Sequence, residues 1–256
     1  MKFVIFRKKM IFAVLGMILC AIMLSQSVYG TTLAEVYFGS SPRLTPIYSV
    51  ETEEKRVALT FDTAWGAEKT SKIIEILKEY NVEATFFLVG FWVDEYLDKV
   101  KELYNSGIIE IATHSNTHPD FVNLSKDNMK LELSTSIEKI ESTVDTKVNL
   151  FRLPYGSYNN DVIEVVDSMG LKAIQWDVDT LDWKGISALE ICERVMNKVK
   201  NGSIILCHNN SDNILEALPL MLERLINAGY TVGNVGDMIL QSDYYIDNLG
   251  VQRKNN

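Results

Sequence analysis

Ile109-Glu-Ile-Ala-Thr-His-Ser-Asn-Thr-His-Pro-Asp-Phe121 is the stretch around which the chain is read. With Ile108, the apolar residues Ile109, Ile111 and Ala112 predict a buried strand, which stops at Thr113 with His114 and His118 just beyond. Four residues is one turn of helix, so a helical turn would bring both imidazoles to one point. Pro119 discourages a helix from running back through His118. Two neutral imidazoles converging past a strand end are a common way to hold a divalent metal ion. The plain alternative is two polar loop histidines with no shared purpose. The chain has three histidines, and the third, His208, also follows a short apolar run, ending at Cys207. All three therefore stand at strand ends, which surface decoration does not explain.

Outward from that stretch the same rhythm repeats. Upstream, Val57–Phe61 and Ala84–Val89 read as short apolar strands, with an amphipathic helix over 69–80 between them and another over 93–106, closed by Gly107. Downstream come a helix over 125–144 capped by Ser125, a strand over 148–151 and a helix over 160–169 ended by Gly170. A strand over 171–176 follows, then a helix over 187–200 whose Ser187 and Glu190 form a capping-box pattern. A strand over 203–207, a helix over 213–228 ended by Gly229 and a seventh short strand over 230–233 complete the series. Strands this short and apolar are buried on both faces, hence parallel. The alternation fits a (β/α) barrel or an open doubly wound sheet. No Gly-x-Gly-x-x-Gly turn follows any strand, which weakens a dinucleotide-binding reading.

The chain has 256 residues, 47% of them hydrophobic, and a net charge of −9, which argues against nucleic acid and anionic membrane surfaces as partners. Lys2, Arg7, Lys8 and Lys9 precede an uncharged apolar stretch from Met10 to Leu24, and Val28 and Gly30 stand at a small-residue site. This is the pattern of an export signal, with a retained anchor as the alternative; both place the rest of the chain outside the cytoplasmic membrane. Residues 31–55 read as a solvated linker, residues 56–240 as the folded domain and 241–256 as a polar, poorly ordered tail. Cys192 and Cys207 are expected as buried, reduced thiols, with a disulfide as the alternative.

Polar residues follow the strands in turn: Asp62, His114 and His118, Arg152, Asp177 and Asp179, and His208. The carboxyl ends of parallel strands share one rim, so these residues are expected to converge there. Five stretches, in order, resemble the polysaccharide deacetylases with the NodB-type domain, carbohydrate esterase family 4. They are Thr60-Phe-Asp-Thr63, His114-Ser-Asn-Thr-His-Pro119, Arg152-Leu-Pro-Tyr-Gly156, Asp179-Thr-Leu-Asp-Trp183 and Leu206-Cys-His208. The Phe-Asp-Thr-Ala-Trp-Gly form of the first is most similar to the branch found in spore-forming bacteria.

The resemblance implies a distorted (β/α) barrel of about seven parallel strands. It also implies metal-assisted hydrolysis of N-acetyl groups on a cell-wall or chitin-like glycan by a monomer. In that reading His114 and His118 hold a divalent metal (Zn, Co or Mn) and Asp62 is the general base, kept ionised by Arg152. The backbone N–H of Tyr155 stabilises the oxyanion. His208 protonates the leaving amine, oriented by Asp179 with Asp182 as the alternate. Pro154, Tyr155, Trp183, Leu206 and Trp65 line the substrate site, and Trp92 and Tyr158 are further stacking candidates. The family usually has a second Asp after the first, completing the metal ligands, and here that position is Thr63. A neutral hydroxyl is a poor ligand for a hard dication, so weakened turnover or a glycan binder without turnover is the alternative.

Overall fold

Eight residues, Arg56 to Thr63, form the central strand, and its alternating side chains explain where the site lies. The computed structural model describes residues 43–255, together with Met17; the expected export segment and residues 31–42 of the expected linker otherwise lie outside the described residues. The strands are β1 (Ser49–Val50), β2 (Arg56–Thr63), β3 (Ala84–Leu88), β4 (Ile109–Thr113), β5 (Leu150–Arg152), β6 (Lys172–Ile174), β7 (Val178–Asp179), β8 (Ile204–His208), β9 (Thr231–Gly233), β10 (Tyr244–Ile246) and β11 (Val251–Lys254). The helices are α1 (Thr70–Glu79), α2 (Gly90–Glu95), α3 (Leu97–Asn105), α4 (Lys126–Thr143), α5 (Asn160–Ser168), α6 (Ala188–Met196) and α7 (Ile214–Asn227). The expected single helix over 93–106 is two, broken at Tyr96, whose φ of −126° and ψ of 49° lie outside the helical region. Ser125 caps α4, and Ser187 with Glu190 forms the expected capping box on α6.

The main sheet runs β6-β5-β4-β3-β2-β8-β7, every neighbour parallel, and β9 pairs with the start of β2. This is the distorted (β/α) barrel expected. Successive side chains of a strand point to opposite faces. On β2, Val57, Leu59 and Phe61 pack outward under the helices, whereas Ala58 joins an interior cluster with Phe87, Ala112, Leu150, Ile174 and Ile204. Following that alternation along each strand puts Asp62, His114, Arg152 and His208 inside, above this cluster, at the carboxyl rim. The apolar residues that fill the barrel below them serve as its floor.

Two expectations at the edges are corrected. Residues 44–50 are not a solvated linker, although Glu51 to Lys55 stay largely exposed. Ile47 is buried and bridges the end strand β6: its N–H donates to Ala173 O at 2.9 Å, and its carbonyl accepts from Gln175 N at 2.7 Å. Ser49 then bridges Ser203, and Val50 N–H donates to Gly202 O at 2.9 Å, so the segment straps the side of the barrel that β6 and β7 leave open. Residues 241–255 are not a disordered tail either. β10 and β11 form a hairpin that adds β1 in parallel, and buried Gln252 bonds both the N–H and the carbonyl of Leu240. Polar composition concealed an amide that replaces water as the partner of a buried backbone. The folded unit thus begins at Leu44 rather than at 56. Cys192 and Cys207 are free and buried, as expected. Among the described residues no helix is long and apolar enough to cross a membrane.

Candidate active site

The rim encloses a cavity of about 700 Å³ lined by Asp62, His114, His118 and His208, with Trp65, Tyr155, Trp176, Trp183 and Leu206 as its apolar walls. Asp179 and the loop 209–212 complete the lining. Residues spread over most of the domain meet here because the parallel strands that carry them point their carboxyl ends at one rim, which brings Arg152 on β5 to Asp62 on β2.

Arg152 organises Asp62. Its guanidinium is fully buried, stacked 4.1 Å from the Phe87 ring centroid and 5.6 Å from that of Trp176. Nη1 donates to Asp62 Oδ1 at 2.9 Å and to Thr60 Oγ1 at 2.7 Å, and Nη2 donates to Gln175 O at 3.1 Å. Burial pushes the Asp62 pKa up, but the charges of His114, Arg152 and His208 and the Arg152 hydrogen bond outweigh it. The carboxyl therefore sits below its ordinary value of 3.8.

His114 and His118 converge, but not through a helix. Their Nε2 atoms lie 3.2 Å apart, brought together by a turn in which Ser115 (φ 71°) and His118 (φ 58°) are left-handed. Two left-handed residues in one turn need outside support. Glu132 of α4 supplies it, accepting the N–H groups of Asn116 and Thr117 and the Thr117 hydroxyl, while His118 N–H donates to Ser115 Oγ. His114 Nδ1 donates to Arg152 O at 2.8 Å, which leaves its Nε2 lone pair facing His118. Burial, then the partner's charge, pushes the His118 pKa down to about 4. Burial also depresses His114, so both rings are neutral ligands near pH 7.

In tetrahedral coordination two nitrogens at 2.0–2.1 Å from zinc stand about 3.3 Å apart, so the imidazole pair fits a divalent ion as a two-nitrogen site. Among the described residues no group of three His, Cys, Asp or Glu side chains forms a metal cage. Thr63 is buried with its hydroxyl unpartnered, and brings no anionic ligand.

On the other side of Asp62, His208 Nδ1 donates to Asp182 Oδ1 at 2.7 Å and its backbone N–H to Asp182 Oδ2 at 2.8 Å. This corrects the expected partner. Asp179 lines the cavity, but its Oδ1 accepts Leu181 N–H at 2.8 Å, an Asx turn that precedes the left-handed Leu181 and lets Asp182 swing inward. Asp182 is fully buried. Burial lowers the His208 pKa, and the bond and charge of Asp182, with Asp62 and Asp179 behind, raise it above its ordinary 6.5.

The other expected contacts divide. Trp65, Tyr155 and Trp183 are 65%, 70% and 58% exposed on the rim, and Leu206 lies on the wall. The rings of Trp65 and Tyr155 both stand edge-on to His118, at 5.4 and 4.7 Å between centroids. Pro154 is not a contact residue. It is buried, and its restricted φ opens the 3-10 turn that places Tyr155 at φ 60°, with its ring outward. Trp92 is buried with its indole N–H on Gly66 O at 2.8 Å, and Tyr158 packs against the cluster under α4 and α5, so neither faces a ligand. Trp176, Glu132 and Ser211 were not singled out from the sequence. Of these only Trp176, one residue past an apolar run, carried a signal that rim placement could have used.

These features define a (β/α)-barrel protein with a carboxylate, Asp62, and His208 on adjacent strands beside two facing imidazoles. A family model described as polysaccharide deacetylase matches residues 49–174. The wild-type BA3943 of Bacillus anthracis, described as a CE4 family pseudoenzyme, superposes with a TM-score of 0.73 at 39% identity, over 78% of this chain and 69% of that one. A mutant of it, described as having restored enzymatic activity, gives 0.73 at 40% identity, over 78% of this chain and 72% of that one. Protein YlxY of Bacillus subtilis is 33% identical over 194 residues, 76% of this chain and 60% of its own length. The peptidoglycan-N-acetylglucosamine deacetylase of Bacillus cereus is 32% identical over 170 residues, 66% of this chain and 62% of its own length. This chain therefore spans about three fifths of these two curated relatives. The chain belongs to the polysaccharide deacetylase family, and its Bacillus relatives agree with the expected spore-former branch.

Proposed function

We propose that this protein is an extracytoplasmic hydrolase that removes N-acetyl groups from a peptidoglycan-type glycan, with a cation site weaker than the family's three-ligand one. One observation carries the reading. Within a single cavity a carboxyl is held below its ordinary pKa and an imidazole above its own, the division of labour an acid–base pair requires. A divalent ion on His114 and His118 would supply Lewis acidity toward water and the acetyl carbonyl. Asp62, fixed by Arg152, takes the proton of the attacking water. The Tyr155 N–H, in its left-handed turn, faces the developing oxyanion. His208, oriented by Asp182, protonates the departing amine. Leu206 and Trp183 wall the acetyl methyl, and Trp65 offers an exposed ring to the sugar. The basic and apolar N-terminus supports export, and is the chain's one feature suited to a membrane. The partner is a glycan, not a nucleic acid, met by a monomer.

Thr63 favours a second reading, a family member that binds glycan without turning it over. Acetate release from N-acetylated muropeptide and chitin oligomers, with Zn²⁺, Co²⁺ or Mn²⁺ titrated in, separates the two. The hydrolase reading expects slow release that rises with ion concentration. Thr63→Asp is expected to reach higher rates and bind the ion at least about 100-fold more tightly, since a direct ligand outweighs the second-shell effects of that size. No acetate from either protein at proven ion occupancy, with glycan still bound, leaves the binder.

A further inference from the structure

The two loops that follow Asp62 and His208 are stitched together. Lys69, beside α1, aims its ammonium at the opposite loop and donates to the carbonyls of Ser211 at 2.7 Å, Asn210 at 3.3 Å and Asp212 at 3.4 Å. In return Asn209 Nδ2 donates to Gly66 O at 2.8 Å, the carbonyl that also takes the Trp92 indole N–H. Gly66 has φ +64°, a left-handed turn that favours glycine, and this turn points its carbonyl at the opposite loop. The ammonium's charge is spent on backbone, which marks the contact as architectural.

What the stitching holds in place is Ser211. Its side chain is buried, and Oγ donates to Asp182 Oδ2 at 3.0 Å. That oxygen already accepts the His208 N–H, and Oδ1 accepts His208 Nδ1. The carboxylate is thus shared between imidazole and hydroxyl. A donor on Oδ2 stabilises the carboxylate when His208 is neutral, so it sets how tightly the pair keeps its proton.

We propose that Ser211 is a positioning residue for His208, acting through Asp182, and that Lys69 holds Ser211 in place from the facing loop. The proposal rests on the reading of His208 as the acid. The other groups that face His208 are Asp62 on β2, Asp179 after β7, and His114 and His118 across the cavity. They are unchanged in the variants, so a shift reports the Ser211 donor.

The test is an NMR titration of the three histidine rings in the whole protein, with His208 assigned through His208→Gln. Ser211→Ala is expected to raise the His208 pKa by about half a unit or more, a fraction of what a hydrogen bond to a charged group is worth. Ser211→Thr keeps the hydroxyl and is expected to titrate like wild type. Lys69→Met is expected to shift His208 in the same direction, and Lys69→Arg to restore it. Where acetate release is measurable, the alkaline limb of kcat moves with the titration while KM stays within about twofold. A His208 pKa unmoved or lowered in a folded Ser211→Ala protein overturns the proposal. If His208 shifts as expected while no variant releases acetate, the positioning role stands and the hydrolase reading falls.

Discussion

Asp62 and His208 are register partners, side by side at the carboxyl ends of β2 and β8. Adjacent parallel strands in register deliver their last inward side chains to the same height, so the proposed base and acid flank one point without any loop having to place them. Their partners differ in kind: Asp62 leans on a cation, His208 on an anion.

That opposition sets the pH dependence. Asp62 titrates below 3.8, so the base limb lies at the acid extreme. His208 titrates above its ordinary 6.5, so the form that could protonate an amine lasts to higher pH than in a free histidine, and activity is expected to fall on a limb above that value. Asp182→Asn removes the group that raises His208, leaving burial to lower it. The limb is expected to drop by at least one pH unit, with kcat down about 100-fold, the size of a general-acid contribution. Asp179→Asn, which removes only a more distant charge, is expected to move the limb much less. A kcat/KM profile from pH 5 to 10 for both variants decides which aspartate serves the imidazole.

Arg152→Met tests the burial argument through stability. In wild type the Asp62 pKa is depressed, so its contribution is present above 3.8 and lost as pH falls through the lower folded value. Without Arg152 the buried carboxylate is left unpaired, at a cost of about 3–5 kcal/mol at neutral pH. Its folded pKa then rises, and the deficit appears as pH rises above 3.8. Urea denaturation at pH 4.5 and 7.5 is expected to show a larger loss at the higher pH, the reverse of the wild-type dependence on this group.

Ile47 tests whether the segment before β2 closes the barrel or merely leads to it. The side chain is 1% exposed and packs with Ile174, Ile204 and Val50 inside the open side. Ile47→Ala is expected to cost about 2–5 kcal/mol, the range for emptying a buried aliphatic position. A linker residue would cost nothing measurable in the same denaturation experiment.

The sequence carried the barrel because each strand is a short apolar run whose period differs from that of its flanking helix. It carried the rim because chemistry-bearing residues stand one or two positions past those runs. It hid the strap, whose few apolar residues Ile47 and Val50 sit among prolines, serines and an acidic run, and the closing hairpin, which is ordered through backbone pairing and one buried amide, Gln252. It also hid the choice of Asp182 over Asp179. Both lie within one short stretch, and only the left-handed Leu181 between them decides which carboxylate turns inward. Glu132 and Ser211 act on backbone and on another side chain, through contacts that no local pattern encodes.

The depressed imidazoles make one further prediction, about the ion rather than the reaction. A proton and a divalent ion compete for the same nitrogen. A histidine at the ordinary pKa of about 6.5 would weaken ion binding about tenfold on going from pH 7.5 to 5.5, and two such rings about a hundredfold. His118 titrates at about 4, so its nitrogen stays open over that range, and His114 lies below its ordinary value, so the pair loses less to protons than two ordinary rings would. Calorimetric titration of Co²⁺ at pH 7.5 and 5.5 is expected to give dissociation constants that differ by less than the roughly tenfold of a single ordinary ring. The protons released on binding at pH 5.5 are expected to be fewer than one per ion, because His118 starts out neutral. A loss of tenfold or more, with close to two protons released, would mean that the rings are hydrated and apart in solution. The paired imidazoles beside Asp62 would then not be the ion's seat.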